Sequence, residues 1–147
     1  MLKTIGAVIL GYVVIFVLVF LTFSAAYLGM GADRAFKPQS YDVAGLWIVV
    51  SIVLSLIAAV VGGFVSFRVG GDRAVKVLAI VVVVLGILMA VPALMGPPSG
   101  EPEPRTAAVG NMEAMSKAKP PTWLNFVNPL IGAAGVLAGG RRRTSKA

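Results

Sequence analysis

The chain has no cysteine and no histidine. Disulfides, thiolate or imidazole metal ligands, thiol nucleophiles and imidazole acid–base chemistry are therefore excluded. Charge is scarce as well. Only 13% of the 147 residues are Asp, Glu, Lys or Arg, and the acids are outnumbered six to thirteen. A soluble domain carries about 25% charged residues, so these polar side chains are too few to clothe a globule of this length. Disorder is excluded from the other side: 58% of the residues are hydrophobic, and disordered chains are poor in large apolar side chains.

What the chain does have is long uncharged runs. Thr4 to Ala32 spans 29 residues without charge, Val43 to Phe67 25, Val77 to Gly100 24 and Pro120 to Gly140 21. A helix crosses about 30 Å of hydrocarbon with roughly 20 apolar residues. Membrane strands are about half that length and alternate in polarity, whereas these runs are continuous. In lipid a helix satisfies its own backbone. The fold expected is an all-α integral membrane protein, one domain over 1–147. Its four transmembrane helices, at about 4–29, 44–68, 74–95 and 122–140, form a compact bundle. The fourth is the most polar, with Asn125, Asn128, Pro129 and a series of glycines. Two readings fit it: a spanning helix from Thr122 kinked at Pro129, or a re-entrant half-helix capped by Asn128.

The basic residues give an orientation. Lys3, the segment with Arg68, Arg73 and Lys76, and the tail with Arg141, Arg142, Arg143 and Lys146 fall on one side, with eight bases and one acid. The other side holds Arg34, Lys37, Arg105, Lys117 and Lys119, balanced by five acids. The positive-inside rule makes the first side cytoplasmic, so both termini are inside. A bacterial cytoplasmic (inner) membrane is the expected location. Tyr27, Tyr41, Trp47 and Trp123 then fall near the outer interface, where amphipathic rings settle. The first segment shares Lys3, an apolar core and Ser24-Ala25-Ala26 with signal peptides. Its apolar core is nearly twice the usual length, which makes it a retained anchor. Residues 97–121 carry six of the nine prolines and are expected to be a Pro-rich extracytoplasmic loop, an extended connector. One or two helical turns over 111–119 are the alternative.

Small residues recur at helical spacing. Ser51, Ser55, Ala59 and Gly63 form one row, Ala58, Gly62 and Ser66 an adjacent one, and Ala79, Gly86, Ala90 and Ala93 a sparser one. Gly135 and Gly139 make a GxxxG step, with Ala134 and Ala138 beside it. Such rows let backbones approach in lipid, where no hydrophobic force draws helices together. Ser51, Ser55, Ala59, Gly63, Gly135 and Gly139 are accordingly expected to make helix-packing or partner contacts. Arg141, Arg142 and Arg143 are expected to meet anionic lipid. Nucleic acid is not an expected partner, because the positive charge is spread over short segments.

No Asp, Glu, Lys or Arg lies inside an expected span, although coupled transport and proton relays place such groups there. Asp33, Asp42, Glu101 and Glu103 lack the dense spacing of a metal loop. No catalytic constellation, metal site or cofactor motif is present. The expectation is a non-enzymatic small polytopic membrane protein acting through helix–helix association, as a homo-oligomer or an accessory subunit of a membrane complex. The alternative is a small uncoupled carrier or pore formed by oligomerisation, with Tyr12, Ser51, Ser55 and Asn125 as its polar path.

Overall fold

A continuous apolar sequence with one helix-breaking glycine after Met30 gives the first element, α1, Leu2–Met30. At 29 residues it is about 43 Å long. It stops at Gly31, whose φ of 78° and ψ of 163° lie in a region only glycine enters freely. The Gly31 N–H donates to Tyr27 O at 2.8 Å. Thr22 does not interrupt α1, because its hydroxyl donates to Leu18 O within the same turn at 2.6 Å. The structure, a computed structural model, describes residues 1–94 and 110–141. Among these the regular elements are all helical, joined by two isolated β-bridges.

A single turn, α2 (Ala32–Ala35), follows, and then α3, Gly45–Leu94. The sequence predicts two helices here with a loop over 69–73. The chain instead stays helical on both sides of one residue, Gly71, at φ 69° and ψ −166°. Arg68, Asp72, Arg73 and Lys76 remain on helical turns. Two arms result, 45–70 and 72–94, and they fold back on each other. Ser66 of the first arm and Leu78 of the second both lie against Gly11 of α1. The fourth element, α4 (Asn111–Lys117), is helical where an extended connector was favoured, and the part of the Pro-rich segment from 97 to 109 lies outside the described residues. The last, α5 (Thr122–Gly139), begins at Thr122 and runs unbroken through Pro129.

α3 lies between α1 and α5 and packs on both. Ala7, Ala59, Ala74, Leu78, Ala79 and Val136 form the core. Outward faces are apolar instead of polar: Ile9, Phe16, Val49, Ile57, Ile80 and Leu88 are exposed. Apolar faces of this extent are the kind that lie against a membrane or a partner. Two helices, α1 and α3, are long and apolar enough to cross a membrane. Every described charged residue is exposed except Lys117, which is half-buried.

Candidate functional site

The small-residue rows of α3 divide between its two neighbours. Gly63 sits against the backbone of Val136, and a β-carbon there would run into Val136 O. Gly139 meets the Val60 carbonyl in the same way. A β-carbon on Gly135 would lie 2.8 Å from Ala59 Cβ. These residues join the first arm to α5. The adjacent row turns to α1: a β-carbon on Gly62 would lie 2.8 Å from Gly11 O, and one on Gly11 would lie 2.7 Å from Leu78 Cδ2. The first arm is therefore smooth on two faces, and dispersion between close backbones holds α1 and α5 against it. Gly86 plays the same part for Pro129, whose ring fills the space its side chain would take. Spacing alone did not single out Gly11 or pair Gly86 with Pro129. A lone glycine inside an apolar helix was the available signal.

Ser55 is half-buried on the first arm. Ser51 is buried, with its hydroxyl donating to Ile48 O at 2.8 Å, and lies higher, beside a cavity. Arg141 is exposed just past α5, while Arg142 and Arg143, like Glu101 and Glu103, lie outside the described residues.

The opposite end carries a cap. Rings stack edge to face in a line from Phe23 to Trp47, Tyr27, Phe36 and Tyr41, with centroids 5.8 to 6.2 Å apart. This geometry sets positive ring edges against negative faces. Tyr27 and Tyr41 are thus buried in a cluster, while Trp123 is exposed. Two segments far apart in sequence close over the cluster. Lys119 N–H donates to Tyr41 O at 2.9 Å and Val43 N–H to Lys119 O at 3.3 Å. Asn111 Nδ2 donates to Ser24 Oγ at 2.9 Å, tying α4 to α1. Ala114 is the buried residue of α4. The cavity beneath the cap, about 260 Å³, is lined by Phe23, Trp47, Ser51, Met115, Leu124 and Asn128 among others.

Glu113 latches the cap from outside. It pairs with Lys117 at 3.2 Å and accepts the Tyr41 hydroxyl at 3.1 Å. Lys117 in turn stands 5.4 Å over the Tyr41 ring. The Lys117 and Tyr41 hydrogen bonds hold the Glu113 carboxyl below the usual glutamate value. A carboxylate depressed in the folded state contributes stability at neutral pH that is lost as pH falls through its folded value. Acidification should therefore loosen the cap, read as a shift in tryptophan emission. Glu113→Gln should remove that dependence, and an unchanged titration in the variant would discount the latch.

A second cleft, about 340 Å³, lies between α1, the second arm and α5 and contains Tyr12, Asn125 and Asn128. Asn128 borders both cavities, and its Oδ1 is buried without a hydrogen bond. Ser51 lines the first cavity and Tyr12 and Asn125 the second, but Ser55 lines neither. Beside Tyr12, Gly11 packs closely against Gly62 and Leu78, and Gly70 packs against Ala7 and Ala74. Among the described residues no group of His, Cys, Asp and Glu could hold a metal ion. No family model matches the chain, and neither a curated protein nor a solved structure is significantly similar to it.

Proposed function

We propose that the chain is a non-enzymatic, four-span protein of the bacterial cytoplasmic membrane, with both termini inside. It acts by contact in the membrane plane, as a homo-oligomer or an accessory subunit of a membrane complex. The observation that carries the reading is the close backbone packing at the small-residue rows. Gly62 lies against Gly11, Gly63 against Val136 and Gly139 against Val60, and the described charged residues lie toward the two ends. The two arms of α3, at 45–70 and 72–94, each exceed the roughly 20 residues a span requires. With α1 and α5 they make four passes. Lys3, Arg68, Arg73, Lys76 and Arg141 share one end, and the cap with its acids occupies the other, which fits the positive-inside rule. Because the small rows of α3 are occupied within the chain, association falls to the outer faces. One of these is the α1 face carrying Ile9, Val13, Phe16 and Phe20, all exposed.

The absence of native cysteine makes the test clean. A single cysteine at Ser116 on the cap should react with an impermeant maleimide in intact cells, and one at Arg73 only after permeabilisation. Equal labelling of both would overturn the four-span orientation. Cysteines at Ile9 and Phe16, treated with a short thiol crosslinker or a photoactivatable thiol-reactive reagent in native membranes, should give a dimer or a defined adduct. Monomer alone at these and at the other exposed apolar positions would overturn the association. The carrier or pore reading requires one polar path, whereas Ser51 lines one cavity, Tyr12 and Asn125 the other, and Ser55 neither.

A further inference from the structure

We propose that the groove between the Arg141 end of α5 and the first arm of α3 holds an acyl chain of one anionic phospholipid, with the Arg68 and Arg141 guanidiniums on its phosphate. This rests on the membrane reading above and names a lipid class for it. The groove, about 820 Å³, is lined by Val60, Val61, Phe64, Phe67, Ala138 and Gly139, with Arg141 at its end. Its volume lies in the range of about 300–1,000 Å³ in which proteins hold small ligands. It exists because Gly139 brings α5 onto the Val60 carbonyl, while Ala138 beside it is too small to fill the furrow that leaves Phe64 exposed. Apolar walls open to the hydrocarbon will be covered by an acyl chain.

Two arginines select the headgroup. Arg68 lies one turn beyond Phe64, and its guanidinium carbon stands 4.9 Å from the Phe64 ring centroid. Stacking on an aromatic face fixes the planar group and leaves its donors free for phosphate. Arg141 borders the groove at the same end. Neither guanidinium has a carboxylate partner among the described residues. Asp72 borders a neighbouring cleft with Lys76 and Arg141, where the balance is still positive. A phosphodiester accepts bidentate hydrogen bonds from arginine. A second copy of this chain, meeting the groove symmetrically, would instead set arginines against arginines.

The test uses the full chain purified in a neutral detergent. It compares dioleoyl phosphatidylglycerol, dioleoyl phosphatidylcholine and glycerol 3-phosphate, with retention read by native mass spectrometry and stabilisation by thermal unfolding. Phosphatidylglycerol should be retained about 30-fold over phosphatidylcholine, the factor two surface cations supply, and glycerol 3-phosphate should neither bind nor compete at equal concentration. Arg68→Gln with Arg141→Gln should bring the two lipids within a few-fold of each other. Ala138→Phe should lower retention of both by filling the groove. Arg142→Gln, Arg143→Gln and Lys146→Gln together should leave the preference in place. Equal retention of the two lipids by the unaltered chain would overturn the proposal. So would a preference that survives loss of Arg68 and Arg141, one abolished by the tail substitutions alone, or competition by glycerol 3-phosphate. Release of the protein from membranes by alkaline carbonate would overturn the membrane reading itself; an inserted protein without lipid preference overturns only the groove.

Discussion

Gly63→Leu and Gly139→Leu should each destabilise the protein by about 3 kcal/mol, the upper end of the usual overpacking range. Gly6→Leu and Gly29→Leu should shift stability by no more than about 0.5 kcal/mol. All four positions are helical glycines in apolar surroundings, so helix propensity and hydrophobicity change in the same direction at each. The difference lies in what a side chain would meet. At Gly63 it meets the Val136 backbone and at Gly139 the Val60 carbonyl, whereas Gly6 and Gly29 have nothing within 4 Å. Backbone atoms have no rotamer to retreat into, so the first arm and α5 would have to separate along the whole seam. Unfolding by SDS titration, followed by tryptophan emission, separates the two pairs. Equal losses at all four positions would refute a seam built on close approach.

Substitution of Gly71 should have the second large effect, by a different route. A β-carbon there meets nothing, yet φ 69° and ψ −166° belong to a region that costs other residues about 1–3 kcal/mol. Gly71→Val should fall at the upper end, because a branched side chain is the least tolerant of positive φ. The strain is relieved if the break becomes helical. The 50 residues of α3 would then run straight for about 75 Å, more than twice the hydrocarbon thickness of about 30 Å. The second arm would leave Gly11 and Pro129, so stability and topology should fail together. Gly71→Val should label at Arg73→Cys and at a cysteine on the second arm with altered sidedness. Retained sidedness with full stability would show that the reversal does not depend on glycine there. Its neighbour Gly70 is needed for the opposite reason, since a β-carbon there would lie 2.6 Å from Ala7 Cβ and from Ala74 Cβ.

How far this fold was legible in the sequence follows from the same residues. Uncharged runs and small-residue spacing are local properties. They were enough to predict long helices and to mark the row of small residues that includes Ala59 and Gly63. They could not say which helix each row meets, because neighbouring rows on one helix are separated only by rotation about its axis. Ala59 and Gly63 turn to α5 while Gly62 turns to α1, a partition decided by tertiary packing. The tight reversal at Gly71 was hidden by the charges around it: Arg68, Asp72, Arg73 and Lys76 read as a loop, though helical turns carry them equally well at a polar surface. The cap was the least legible part. Its bonds join Tyr41 to Glu113 across 72 residues and Ser24 to Asn111 across 87, and neither segment has a periodicity that announces the other.

Those separations also set an order of events during synthesis. The first half of the cap, with Phe36 and Tyr41, emerges from the ribosome long before Asn111, Glu113 and Lys119. Through that interval the aromatic line from Phe23 to Tyr41 has no cover, and the cavity beneath it has neither α4 nor Leu124 as a wall. Closure therefore waits for the last part of the chain to arrive. The cap is in effect a receipt for a completed polypeptide: a product truncated before Lys119 would leave apolar rings exposed, the kind of surface that quality-control proteases recognise in unfinished chains.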